Sequence, residues 1–415
     1  MAVQRLKIPG CRALKGALFL ALLFHFPGCR EKSEKKEIVF SMEISPALHA
    51  FLTDLNSQSY EEKDFSALFT ALKNHSDPYC SALHTKSPFD PVVAGALIRN
   101  SQMDRFRSEF YPKTLGSILS GCWNFFSMND ITPDNDFRLV RALYPDTDFY
   151  CYSVGFLQPY IMHSILGCRN LTMIDIDWRI HEGHRQMMSL YREGKFQSAG
   201  DFTRDLSMIH VSWVAYDTAP APDRPLTLDG ACFLSQSELC RNSLLNFSKT
   251  FKGLESVKYY ISFLHEANFP RIEGRPLKVI FLSNAIEDIY TSHDEFYAML
   301  DRVYNSLSLG QKALFIYHSG GMPTFGLYEM ENNGTDKIVR TVCRDPYVTK
   351  SHTQEMHEHE SYFEPMSDES EKKSCFHLLE EKKIPISRFA LPASAIPASP
   401  TSPAPPAGSS QEQIQ

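Results

Sequence analysis

The sequence predicts an α/β fold: a three-layer sandwich around a mostly parallel sheet, preceded by a helical N-terminal cap. Three observations carry this. Short apolar and β-branched runs alternate with helix-length stretches between Phe149 and Tyr317, the pattern of βαβ units. A glycine, Gly155, closes the first of these runs, and an acidic residue, Asp175, ends the second. That interval of about twenty residues separates the ligand-holding turn from the ribose-binding acid in doubly wound sheets. Before Pro145 the apolar residues fall at helical spacing instead.

The elements follow in order. Pro46 to Leu52 and Phe65 to Leu72 place apolar residues three and four apart. Asp90 and Pro91 open another helix, proline being tolerated in the first turn. Small residues from Leu115 to Gly121 suit close packing. Residues 38–145 are therefore read as the cap. Phe149 to Val154 is an aromatic and β-branched strand. Leu157 to Leu166 is a helix with Pro159 in its first turn, Leu171 to Ile176 a strand, and Trp178 to Arg192 a helix. Met208 to Val214 reads as a strand, Pro220 to Pro225 as a loop and Ser235 to Phe251 as a helix. Leu277 to Leu282 is a strand, Asp294 to Leu307 a helix and Lys312 to Tyr317 a strand. From Leu391 the chain is Pro, Ser and Ala with little to bury, and is expected to be disordered.

The N-terminus carries an address. Arg5, Lys7, Arg12 and Lys15 form a basic region, and Ala17 to Phe26 is an apolar segment of signal-peptide length. It ends in Phe26, Pro27, Gly28 and Cys29, which resembles a permissive lipobox of the spirochaete kind. Lipidation of Cys29 is the expectation; an ordinary secretory signal or an uncleaved anchor is the alternative. Residues 1–29 are then a lipoprotein signal peptide, and the charged stretch 30–37 a tether between an acyl anchor in the bilayer and the domain. The net charge of −7 leaves no basic patch for nucleic acid. Eight of the ten cysteines follow Cys29. Cys232 and Cys240 are the closest-spaced candidates for a disulfide, while most of the others are expected as buried free thiols.

Val154, Gly155 and the Ile174-Asp175-Ile176-Asp177 stretch resemble the class I S-adenosylmethionine-dependent methyltransferases. The resemblance spans about Phe149 to Tyr328 and implies a Rossmann-like methyltransferase-type domain over 146–390. It implies that Gly155 holds the cofactor turn, Asp175 binds ribose, Ile176 flanks adenine and Asp177 caps the next helix. Ser283 and Asn284 would stand on the substrate side at the end of the fourth strand. The chain departs from that family in two places, one of them Ser153, where an acidic residue usually stands two positions before the first glycine. The family repeats glycine at alternate positions of the turn, and this chain has Leu157 and Pro159 there. Those side chains refill the space through which a cofactor approaches the backbone. The whole chain also looks like a spirochaete (leptospiral) lipoprotein family without an assigned activity.

Other constellations compete. Asp175 and Asp177 match the Asp-x-Asp that holds a divalent metal in some glycosyltransferases, but alternate strand residues face opposite ways, and a helix cap explains the pair as well. His181 and His184 share a helix face, either as half a zinc site or as a solvated surface. His352, His357, Glu358 and His359, with His377 beyond, are either a loose metal site or a polar loop. His318, Ser319, Gly320 and Gly321 follow a strand, but Tyr317 stands where a nucleophile elbow needs glycine, so the glycines are read as a turn.

Two function classes follow. One is a non-catalytic envelope protein whose degenerate cleft binds a ligand or an extracellular or envelope partner. The other is an active transferase using S-adenosylmethionine or a nucleotide sugar. Export separates the chain from cytoplasmic S-adenosylmethionine and favours the first.

Overall fold

The computed structural model describes residues 38–46, 130–213, 221–225, 241–246, 253–286, 291, 293–319, 322–335, 337, 339–345 and 373–388. The chain divides into two units, 1–37 and 38–415, and all described residues lie in the second. The expectations for Cys29, the tether 30–37, Cys232 with Cys240, the cluster His352, His357, Glu358 and His359, and the tail from Leu391 fall outside the described residues.

The fold is a mixed α/β structure built on one eight-stranded sheet. In chain order its elements are β1 (Val39–Ile44), α1 (Asp134–Leu143), β2 (Phe149–Ser153), α2 (Gln158–Leu166), β3 (Asn170–Asp175), α3 (Trp178–Arg192) and α4 (Ala199–Leu206). After a small ribbon, β4 (His210–Trp213) with β5 (Ala221–Pro225), come β6 (Ser256–Ile261), β7 (Leu277–Ser283), α5 (His293–Asn305), β8 (Lys312–His318), β9 (Phe325–Glu331), β10 (Val339–Arg344) and α6 (Cys375–Glu381).

The strands lie in the order β1-β6-β3-β2-β7-β8-β9-β10. From β1 to β8 every pairing is parallel. β9 runs antiparallel to both β8 and β10. Burial explains the textures of the strands. All seven residues of β7 are buried, because a central parallel strand is covered on both faces and reads as a continuous apolar run. β1 lies at the edge and alternates exposed with half-buried residues until Ile44.

The helices are set by local signals. α2 has Pro159 in its first turn and ends at Gly167, whose φ of 65° supplies the left-handed residue that closes a helix. α3 starts at Asp177, whose carboxylate accepts the Arg179 backbone N–H at 2.9 Å. Two apolar cores result. One packs α1, α2, α3, α4 and α6 against side chains such as Cys151, Met173, Phe281 and Ile316. The other packs α5 against Tyr152, Ile280, Phe315 and Tyr317 on the opposite face.

Several expectations need correction. The stretch 38–145, expected as a helical cap, begins with β1 and ends with α1, and both belong to the sheet and its cores; its middle, 47–129, lies outside the described residues. Residues 221–225, expected as a loop, form β5 and pair with β4. Each strand of a two-stranded ribbon has a free edge, where proline costs no ladder hydrogen bond. Of the helix expected over Ser235 to Phe251, residues 241–246 are described and are helical. All four described cysteines are paired rather than free: Cys151 with Cys168, and Cys343 with Cys375.

Candidate functional site

In an open parallel sheet, the carboxyl ends of the strands form a crevice where neighbouring connections leave in opposite directions. Here β2 lies between β3 and β7. Its own connection crosses one face through α2, while β7 and β8 are linked by α5 on the other. The ends of β2, β3, β7 and β8 therefore define the candidate site.

Gly155 and Asp175 meet there. Gly155 has φ +80°, and its N–H donates to Asp175 Oδ2 at 3.0 Å. Asp175 Oδ1 accepts the Asp177 N–H at 2.9 Å. Asp175 and Ile176 are half-buried. Burial raises the Asp175 carboxyl to about 7, against the pull of the Asp177 backbone donor. The Ile176 backbone N–H also acts on this carboxyl, so of the about four lone-pair positions of a carboxylate one remains after these contacts. Asp177, by contrast, is buried and pairs with buried Arg179, whose Nε and Nη2 reach its two oxygens at 3.0 and 2.7 Å. The two aspartates serve different neighbours, and a shared metal clamp is not what they form. Among the described residues no three His, Cys, Asp or Glu are grouped to hold a metal ion.

Gln158 folds back across the turn. Its Oε1 accepts the Leu157 N–H at 3.1 Å, and a Cβ built on Gly155 would stand 2.4–2.7 Å from its amide atoms. Its Nε2 donates to Asp130 Oδ2 at 2.9 Å. Asp130 Oδ1 accepts the Ser283 hydroxyl at 2.6 Å. Ser283 adopts φ +49° at the end of β7, where the register with β8 shifts, and its neighbour Asn284 is half-buried with Oδ1 3.3 Å from the same hydroxyl. Gly155, Asp175 and Ile176 on one side, and Ser283 with Asn284 on the other, are thus joined through Gln158 and Asp130.

S-adenosylmethionine is the group that the methyltransferase resemblance implies. The ribose end fits it: Asp175 keeps a lone-pair position and is half-exposed, with Ile176 half-exposed beside it. The turn does not fit. The flank of Gly155 is already filled by Gln158, and no close approach of a ligand to this backbone is left without moving that side chain.

The histidines behave differently from a solvated face. His181 and His184 are fully buried under the site. His181 Nε2–H donates to the Asp175 carbonyl at 3.0 Å, and the Tyr160 hydroxyl donates to His184 Nδ1 at 2.8 Å. His184 stacks on Tyr259 with centroids 5.3 Å apart. Burial lowers His181 to about 4 and holds His184 well below its ordinary value. His181 is a neutral support for the Asp175 end of β3, while His184 packs among Phe156, Tyr160 and Tyr259. His377, on α6, is exposed.

The residues missed by sequence reasoning precede and open α1. Asp130, Asp134, Asn135 and Asp136 are all buried. Asp136 Oδ2 pairs with His318 Nδ1 at 2.8 Å, and His318 Nε2–H donates to the Met322 carbonyl at 2.9 Å. Burial alone would lower His318, but Asp136 and then Asp130 raise it to about 9. Asn135 clasps Ser387 through two reciprocal bonds of 3.0 and 2.8 Å. Asp-rich spacing from Asp130 to Asp136 was the one available signal. Ser319 lies in the hairpin turn between β8 and β9, bonded to Thr324; Gly320 and Gly321 are outside the described residues.

No protein-family model and no curated protein matches the chain. Among solved structures it is similar to an S-adenosylmethionine-dependent methyltransferase, SibL, in its apo form, at 11% identity and a TM-score of 0.20. That match covers 60% of this chain and 57% of the methyltransferase, so the chain spans little more than half of that protein.

Proposed function

We propose that the chain is an exported, membrane-anchored lipoprotein of the cell envelope, acylated on Cys29, whose doubly wound methyltransferase-type domain serves in ligand or partner binding rather than catalysis. The strand order β6-β3-β2-β7-β8 supports the doubly wound reading, since it is the 3-2-1-4-5 arrangement of such folds. The basic, apolar, Gly28-Cys29 order of the N-terminus supports the anchor, in the manner of the spirochaete lipoproteins. Two disulfides accord with an oxidising compartment.

The observation that carries the non-catalytic reading is Gln158, folded over Gly155 and pinned by Asp130. Calorimetry of the purified full chain with S-adenosylmethionine and S-adenosylhomocysteine tests it. No heat of binding is expected at micromolar ligand. Micromolar affinity that is lost in Asp175→Ala, with folding intact, overturns the proposal. The half-exposure of Asp175 and Ile176 favours a second reading, an active transferase using S-adenosylmethionine or a nucleotide sugar. Nucleotide sugars in the same titration address that branch. Palmitate incorporation in the native host, compared with Cys29→Ala, tests the anchor; equal labelling of both removes it.

A further inference from the structure

The junction between β2 and β7 has the chemistry of a small binding site that already contains a ligand group. Its donors are the Ser283 hydroxyl and the Gln158 amide, with residue exposures of 4% and 6%. Both are fixed in direction. Gln158 Oε1 is engaged by the Leu157 N–H, so its NH₂ faces inward. Ser283 is held at φ +49°, a left-handed conformation that residues other than glycine rarely adopt. Strain of this kind persists where the surroundings over-determine it. The Ser283 hydroxyl has one proton; it goes to Asp130 at 2.6 Å rather than to Asn284 Oδ1 at 3.3 Å.

The acceptor between these donors is the Asp130 carboxylate, fully buried and bonded once through each oxygen. Asp130 does not belong to the sheet. It arrives from the segment ahead of α1, through Thr132 at φ +56°.

We propose that this junction is a carboxylate-binding site which the chain fills with its own Asp130, and that its exogenous ligands are small molecules bearing a free carboxylate. The inference rests on the reading of the crevice as refilled from within, and names the ligand class that this crevice takes. A ligand carboxylate enters only by displacing Asp130. Binding is thereby coupled to the segment 130–136, whose far end is pinned by Asp136 to His318.

Asp130→Ala vacates the volume of a carboxylate and leaves two buried donors unpaired. The full-chain variant is melted in sodium formate, sodium acetate and sodium chloride at equal ionic strength. Formate is expected to raise its Tm saturably by several degrees, as a ligand of the native state does, with acetate weaker. Wild type, where formate must first displace Asp130, should show the rise only at higher formate concentration, and a wild type that behaves in formate as in chloride at every concentration overturns the claim of exogenous ligands. The rise should vanish in Asp130→Ala/Ser283→Ala. If Asp130→Ala does not fold in chloride, its refolding yield in formate is the readout, and recovery there is the expected result. Equal behaviour in formate and chloride, by either readout, overturns the inference. So does a formate effect of the same size in wild type at the same concentrations. Failure here leaves the parent reading standing, because that reading falls only if the unaltered chain binds S-adenosylmethionine.

Discussion

Asp175 and Asp177 stand one residue apart and answer to different physics. Asp175 ends β3 half-buried, accepting the backbone N–H groups of Gly155 and Asp177. Its pKa of about 7 lies above the roughly 3.9 of an unfolded chain. Folding therefore favours its protonated form. That contribution to stability is complete below about pH 4 and is lost as pH rises through 7. Asp175→Asn removes the titration. The unfolding free energy of wild type minus that of the variant, from urea melts, should fall between pH 5 and 7; a flat difference would contradict the assignment. Asp177 is fully buried against Arg179. A plain N-cap is worth about 1 kcal/mol, but removing one partner of a buried ion pair costs about 3–5 kcal/mol. Asp177→Ala should fall in that larger range by equilibrium denaturation, and a loss near 1 kcal/mol would leave only the cap.

At the scale of elements, α3 holds the lower wall of the site. Its residues His181 and His184 face inward, and Gly183 lies between them against Phe156. A Cβ at Gly183 would meet the Phe156 ring at 2.8 Å. In an exposed helix Gly→Ala stabilises by up to about 1 kcal/mol. Overpacking a filled core costs about 1–3 kcal/mol, and the buried ring has His184 at 4.8 Å and Tyr160 at 6.4 Å around it. Gly183→Ala is therefore expected to destabilise the fold despite its better helix propensity. Chemical denaturation gives the sign directly, and a stabilised variant would show that Phe156 yields without cost.

At the scale of the whole molecule, two disulfides among the described residues cross-link the same apolar core. Cys151 in β2 joins Cys168 beyond α2, 17 residues on. Cys343 in β10 joins Cys375 at the start of α6, 32 residues on. Loops of these lengths give about 3–4 kcal/mol each when the closure entropy of the unfolded chain is the main effect. Thermal melts with and without dithiothreitol should differ strongly, and Cys343→Ala/Cys375→Ala should lower the Tm of the unreduced chain by part of that difference. An unchanged melt under full reduction would remove the structural role. Global pH titration is a poorer guide. The raised pKa of Asp175 favours folding under mild acid, while the lowered pKa of His181 makes its contribution fade as pH falls from 6.5 through 4. Between pH 4 and 6.5 the two oppose, and only single variants separate them.

Local pattern was enough to read the α/β class and the elements from β2 to α3 and from β7 to β8. Long apolar runs, Pro159 at a helix start and Asp177 at another are signals that neighbours in sequence complete. The edge strand β1, and β6, β9 and β10, were not legible. They carry polar or half-buried positions, and what makes them strands is a partner outside the local sequence, as Val39 finds Ser256 and Leu327 finds Cys343. The site divides in the same way. Gly155 and Asp175 were found by their interval, because it is set by one βαβ unit. Asp130 was not, since its meaning comes from Gln158 and Ser283, 28 and 153 residues away. The burial of His181 and His184 was likewise decided by packing: two histidines three apart show that they share a helix face, and only the sheet beneath determines that this face is the inner one.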